Sequence, residues 1–340
     1  FHPQPANRDS SLRLVGSEMC IRDRLEVEAW YVEHPEVDDV AIAGPVDVCG
    51  LPRTGTTALG DMLSLDPRFR CLTGWEQTRP VPPPVAGAEA DDERRQAYVV
   101  RAENQSAEQR AMHIFEVDSA TEDTEILGMA FHGQQMTLPV PGYRAWWRHG
   151  DLTETYRYHR RVVKLLGSRK GPERWLFKAP HHKFHLEALV AAYPDARFVM
   201  THRDPAKVVP SYTSLVSTVF PPPDGERDLE ALGAEVSVHL REGMERAITE
   251  RARVGEERFL DVHHPDLVRD PQGTIRRIYD WLGQELTEEI ADTIFAWQRA
   301  NAQGSAGVHR YTAEQFGLDA ERIRSEYDVY MRRFDVARED

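Results

Sequence analysis

The sequence predicts an α/β fold, a central parallel sheet flanked by helices. Three observations predict it. Four strand-like runs alternate with amphipathic helical stretches, the order that builds a parallel sheet covered on both faces. The first run passes through a two-glycine loop directly into a helix. The polar motifs all end or follow strands, where open parallel sheets bind their ligands.

The elements follow in order. "RLEVEAWYVEH" reads as a short helix, and "PVDVCG" as a buried strand running into "GLPRTGTT". "TTALGDMLSLD" is then an amphipathic helix with Leu59, Met62 and Leu63 on one face. "RPVPPPV" is a stiff surface crossing. A long polar helix is expected over 89–113, and another from "TEDTEILGMAFHG" with Thr121 as its N-cap. "DLTETYRYHRRVVKLLG" is strongly amphipathic. "RWLFKAP", "ARFVMTHR" and "RFLDVHH" are the other strands, followed by helices at "HLEALVAAY", "AKVVPSYTSLVSTVF" and "PQGTIRRIYDWLG". The economical organisation is one domain over 25–340 with a helical insertion at about 80–170. Residues 1–24 are expected to be a non-native or disordered arm. They lack the apolar stretch of a secretory signal, and "SLRLVGSEMCIRD" resembles a peptide translated from sequencing-adapter DNA.

Composition narrows the function classes. The net charge of −14 gives no basic surplus for a nucleic acid, while a local pocket for one small anion stays possible. Cys20, Cys49 and Cys71 have no paired zinc or disulfide spacing, which points to a reducing, cytoplasmic setting. No run of apolar residues is long enough to predict a transmembrane segment. The sequence leaves a homo-oligomer open.

The loop carries the first chemistry. Gly50 and Gly55 hold Walker-loop spacing, but Thr56 stands where the lysine would be, with Arg53 inside the loop. A strand-to-helix turn of this kind offers backbone N–H groups and a helix N-terminus to an anion. Thr56 and Thr57 add hydroxyls and Arg53 a planar cation. Without the lysine that reaches the β- and γ-phosphates, the loop suits one anionic group at a nucleotide's 5′ end better than a magnesium triphosphate. After the strand "RFVMTH", Arg203 and Ser211 stand where they can clasp a second phosphate; the bland alternative pairs Arg203 with a nearby carboxylate.

"GLPRTGTT" together with that Arg/Ser pair resembles the two cofactor signatures of the sulfotransferases, which bind 3′-phosphoadenosine 5′-phosphosulfate (PAPS) and release PAP. "WEQTRPVPPP", "WLFKAPHHKFHLEALVAAYPDARFVMTHRDP", "FLDVHHPDLVRDP" and "HRYTAEQFGLD" are similar to blocks of the bacterial branch, over about 45–335. The resemblance implies the P-loop NTPase-like sulfotransferase fold and transfer of a sulfuryl group to a hydroxyl or amine of a small acceptor. It implies that Arg53, Thr54, Gly55, Thr56 and Thr57 hold the 5′-phosphosulfate, that Arg203 and Ser211 hold the 3′-phosphate, and that Arg310 is a late basic contact. In "LFKAPHH", Lys178 would stabilise charge on the bridging oxygen. The catalytic base is expected at His182, from a Lys-x-Pro-x-His pattern, with His181 as the alternative from the Lys-Thr-His of eukaryotic relatives. No metal is implied. A P-loop phosphotransferase and a non-catalytic nucleotide-binding protein are the rival readings.

Other residues take structural readings: Glu122 and Asp123 complement a helix dipole, ahead of an acceptor-site role, "VHHPD" packs a strand end, and His185 and His202 are satisfied histidines. Glu76 is open between structure and site. Tyr143, Trp146 and Trp147 either wall an acceptor pocket or pack the insertion.

Overall fold

The computed structural model describes residues 8–104, 117–133, 141–170, 174–219, 227–301 and 311–339, with side chains from residue 21 onward except at Pro141. Five strands form one all-parallel sheet: β1 Val46–Gly50, β2 Phe69–Cys71, β3 Arg174–Lys178, β4 Arg197–His202 and β5 Phe259–His263, in the order β2-β3-β1-β4-β5. The four expected strands are present. β2 is an addition, a three-residue edge strand in "RFRC". The chain leaves β1 toward β2 on one side and later crosses to β4 on the other, so the strand order switches at β1. The Walker-like loop leaves the sheet at that point.

Alternation along β1 assigns its side chains to opposite faces. Val46 and Val48 join an apolar cluster with Leu176, Val199 and Val262, covered by Pro271–Leu282 and Glu288–Ala300. Cys49 faces the larger cluster with Phe177, Phe198 and Met200, and Asp47 points to this same side. Both faces are therefore dry, as a parallel sheet requires.

The helices that matter to the site are α1 Arg8–Glu33, α2 Thr56–Ser64, α3 Glu93–Glu103, α4 Thr124–Gly128, α5 Pro141–His149, α6 Thr153–Gly167, α7 Leu186–Ala192, α8 Pro205–Val219 and α9 Leu229–Val254. α1 contains the expected short helix and extends N-terminal of it; Tyr31 Oη donates to Arg161 O at 2.8 Å, tying it to α6. The long polar helix expected over 89–113 is a single turn at Glu89–Asp91 followed by α3, capped by Asp92, which accepts from Arg94 N at 2.9 Å; residues 105–113 lie within the 105–116 gap in the described residues. Thr121 does not cap α4: Asp123 occupies the N-cap position and its carboxylate turns elsewhere. α9 was not marked by the sequence, although it packs against α8 and the turn after β3. No described helix is long and apolar enough to cross a membrane.

Candidate active site

At the loop, three residues have positive φ: Gly50 at 127°, Arg53 at 64° and Gly55 at 92°. Gly50 is required by closeness as well, because a Cβ there would meet Thr201 O at 2.4 Å. Thr54 is fully buried and fastens the loop to β4: its hydroxyl donates to Leu51 O at 2.6 Å and lies 2.5 Å from Thr201 Oγ1. Thr54 therefore shapes the turn, while Gly55, Thr56 and Thr57 line the adjoining cavity at the N-terminus of α2. The first-turn amides of a helix have no intrahelical acceptor, so this wall attracts anions.

The arginine pair converges on the same wall. Arg53 Nε donates to Ser211 Oγ at 3.2 Å, and Arg203 Nη1 donates to Arg53 O at 3.0 Å. Pro205 opens α8, and Asp204 caps it by accepting from Ala206 N at 2.9 Å. Loop, Arg53, Arg203 and Ser211 thus meet, although Arg53 and Ser211 are 158 positions apart in sequence. Arg203 already holds a carboxylate: its Nε and Nη2 donate to Glu339, each at 3.1 Å. Glu339 is fixed in turn by its own N–H to Asp204 Oδ2 at 2.8 Å and by Arg324 Nη2 to its carbonyl at 2.9 Å. Arg310 lies outside the described residues.

The cavity has a volume of about 1270 Å³ and runs from this loop to the turn after β3. Lys178 ends β3 with its side chain 1% exposed; its stem crosses Gly60 of α2, where a Cβ would come 3.1 Å from Lys178 Cγ. Its Nζ lies 3.8 Å from Glu122 Oε1, and Glu122 lines the cavity.

The two candidate histidines part company. His181 lines the cavity. His182 is fully buried beneath it and does not reach the cavity wall: Nδ1 is 3.1 Å from Asp47 Oδ1 and Nε2 is 3.0 Å from Asp123 Oδ2. Asp123 Oδ2 also lies 2.9 Å from His159 Nε2, and His159 Nδ1 meets Tyr193 Oη at 2.7 Å. Burial alone would lower the His182 pKa, but the Asp123 and Asp47 carboxylates outweigh it and push it up to about 10. Burial likewise works to raise Asp123, yet His182 and His159 hold it well below the usual carboxylate range. His181 is driven the other way, well below 6.5, by burial and then by the charge on His182, so its imidazole is neutral at pH 7. The carboxylate at the start of α4 is therefore the centre of a buried ion-pair network instead of a helix-dipole partner.

The ligand atoms of Asp123, His181 and His182 lie within 4.8 Å of one another, a spacing a metal ion can use. Here Asp123 and His182 are engaged with each other and with Asp47 and His159.

The remaining candidates sort by contact. Trp147 takes both expected roles: it lines the cavity, packs edge-on to Phe184 at 5.2 Å and donates Nε1–H to Gly133 O at 2.8 Å. Trp146 is exposed, and Tyr143 Oη donates to Phe131 O at 2.9 Å. Glu76 is structural, held by Arg70 at 3.0 Å, Thr73 Oγ1 at 3.0 Å and Lys170 at 3.2 Å. His202 Nε2 meets Asp261 Oδ1 at 2.8 Å. His264, part of "VHHPD", does line the cavity. Sequence reasoning missed Asp47, His159 and Glu339, and read Asp123 as a helix-dipole partner. One signal was available: an aspartate in the middle of an otherwise apolar strand implies a buried partner.

The chain belongs to the sulfotransferase family, whose model matches residues 45–288. The crystal structure of sulfotransferase STF9 from Mycobacterium avium superposes with a TM-score of 0.86 at 30% identity, covering 98% of this chain and 87% of that one. STF1 from Mycobacterium tuberculosis H37Rv gives 0.81 at 29% identity, covering 94% and 85%. Among curated proteins, the omega-hydroxy-beta-dihydromenaquinone-9 sulfotransferase Stf3 of Mycobacterium bovis is 32% identical over 164 residues, 46% of this chain. The match spans 40% of that relative's length.

Proposed function

We propose that the protein transfers a sulfuryl group from PAPS to a hydroxyl or amine of a small acceptor, releasing PAP and the sulfated product. The observation that carries this is the convergence of the glycine loop, Arg53, Arg203 and Ser211 at a cavity whose wall also includes Glu122, 3.8 Å from the buried Lys178 Nζ. Two cations at one end fit a nucleotide with anions at its 5′ and 3′ positions. Arg53 and the first turn of α2 receive the 5′-phosphosulfate, with Thr56 and Thr57 as hydroxyl donors, and Arg203 with Ser211 receives the 3′-phosphate. Arg310 keeps its reading as a late basic contact. The free cysteines Cys49 and Cys71 support a cytoplasmic setting.

In the reaction the acceptor oxygen or nitrogen attacks sulfur, the bond from sulfur to the 5′-phosphate oxygen breaks, and that oxygen leaves with the electron pair. Lys178, with Arg53 and the helix N-terminus, meets the charge that grows on it. The acceptor's proton goes to a group on the cavity wall. Glu122 stands 3.8 Å from Lys178 Nζ and is assigned this role; neutral His181 orients the acceptor, and His182 holds Asp123, and through it the 122–123 segment, in place. General-base help of this kind contributes roughly 10²–10⁴ in rate. No step calls on a metal.

The test is calorimetric binding of PAP without magnesium, followed by mass spectrometry of products from PAPS and an acceptor library. Lys178→Met and Glu122→Gln should each lose turnover at least about 100-fold with PAP affinity kept. Failure of the wild-type protein to bind PAP would end this reading.

A further inference from the structure

Lys183 enters none of the steps above, yet it stands on the cavity wall with its side chain 1% exposed. Its ammonium donates to Pro180 O at 2.8 Å and lies 4.7 Å over the Phe184 ring. Among the described residues no carboxylate comes within ion-pair distance of it. An ammonium carries three donors, and burying one without a counter-charge is costly. Burial accordingly pushes its pKa down to about 7.

The charged and titratable groups facing it leave the deficit unfilled. The Cys49 thiol and Glu122 favour the ammonium, but the thiol is itself pushed well above its usual range by burial. His181 and His239 are both held neutral by burial. Around the amine the cavity is aromatic: Phe184 stacks on His239 at 4.6 Å, and His132 stacks on Trp147 at 4.4 Å. Arg53 and Arg203 stand at the opposite, nucleotide end. Arg144 and Arg148 also act on His239, but they pair with Glu235 and Glu242 and do not line the cavity. The lining of this lobe therefore offers ring surfaces and the Lys183 ammonium.

Resting on the sulfotransferase reading, we propose that Lys183 anchors a carboxylate on the acceptor, so that the acceptor class is a hydroxylated aromatic acid. Its ring lies among Trp147, Phe184 and His239, and its hydroxyl is presented toward Glu122 and Lys178. A single ammonium in a dry lobe balances one negative charge, which selects a carboxylate over a dianion. Pairing favours the ammonium, so the acid binds with uptake of a proton at Lys183.

The experiment titrates the protein, saturated with PAP, with three hydroxyaryl alkanoic acids of increasing chain length and with their methyl esters. Calorimetry at pH 8 in two buffers of different ionisation enthalpy reads affinity and proton uptake together. At least one acid should bind about 10-fold or more tightly than its ester, as a charge-assisted contact provides, with close to one proton taken up. In Lys183→Met both the preference and the uptake should vanish while PAP affinity stays unchanged. Esters that bind as well as every acid, or an acid preference that survives Lys183→Met, overturn the proposal. So does a Lys183→Met variant that weakens PAP itself, which would assign the amine to the donor. The wild-type proton uptake needs no variant and keeps the test decisive if Lys183→Met does not fold. Loss of PAP binding by the wild-type protein is a separate result, one that removes the nucleotide reading beneath it.

Discussion

Two neighbours in one turn titrate in opposite senses, and their effects on stability cancel over a defined pH range. His182 has a pKa of about 10 in the fold against about 6.5 for a free imidazole. Its stabilisation is fully present below pH 6.5 and is lost as pH rises through 10. Its size is about 3.5 units at 1.36 kcal/mol each, roughly 5 kcal/mol. Lys183 is shifted from 10.5 down to about 7. Its charged form is disfavoured in the fold, so it subtracts roughly 5 kcal/mol below pH 7 and nothing above 10.5. Both side chains are almost completely buried, so solvent screening does not reduce either figure. From pH 7 to 10 one contribution falls by about 1.4 kcal/mol per unit while the other rises by the same amount. Single variants expose the hidden slopes. His182→Gln should be less stable than wild type, with a deficit that shrinks by about 4 kcal/mol between pH 7 and 10. The benefit of Lys183→Met should shrink by the same amount over the same range. The assay is urea unfolding at unit pH steps and fixed ionic strength, read as differences from wild type, so that Cys49 and the buried tyrosines cancel. A His182→Gln difference constant to within about 1 kcal/mol would refute the assignment of a protonated imidazole between Asp47 and Asp123.

Three further outcomes are expected. Gly50→Ala places a methyl 2.4 Å from Thr201 O at a φ of 127° and should cost at least about 2 kcal/mol in denaturant unfolding. Gly60→Val pushes on Lys178 Cγ, 3.1 Å from the new Cβ, and should lower kcat about 10-fold or more with PAP affinity kept, measured by steady-state kinetics and calorimetry. Glu339→Gln releases Arg203 from a partly exposed ion pair worth about 0.5–1 kcal/mol, so PAP should bind about two- to five-fold more tightly; weaker binding would count against Arg203 as a phosphate ligand.

The sheet was legible because β1, β3, β4 and β5 are short apolar runs bounded by turns, whereas β2 pairs along one edge through only three residues. α9 escaped notice because its buried face is built from Gly233, Ser237, His239, Gly243, Glu250 and Arg251 among the aliphatic residues, which blurs the helical period. At the site, the strand–loop–helix end of the cavity could be read locally, since glycine spacing and a loop arginine are sequence features. Asp123 could not. A carboxylate opening a helix already has an adequate local explanation, and its actual partners, His159 and His182, reach it only through tertiary packing. The choice between His181 and His182 turned on which side of a tight turn faces the cavity, which spacing does not encode. Glu339 left no local sign at all.

The Arg203–Glu339 pair also bears on how turnover ends. On the proposed assignment, departing PAP must give up a guanidinium for which a tethered carboxylate competes from the moment the phosphate loosens. Product release limits many well-evolved enzymes, and a resident competitor shortens the occupancy of the spent nucleotide without weakening any contact made by the sulfuryl end. The segment around Glu339 would then act as an internal rinse for the nucleotide site, resetting it between cycles, and its influence would be visible in the PAP dissociation rate before it was visible in the chemistry.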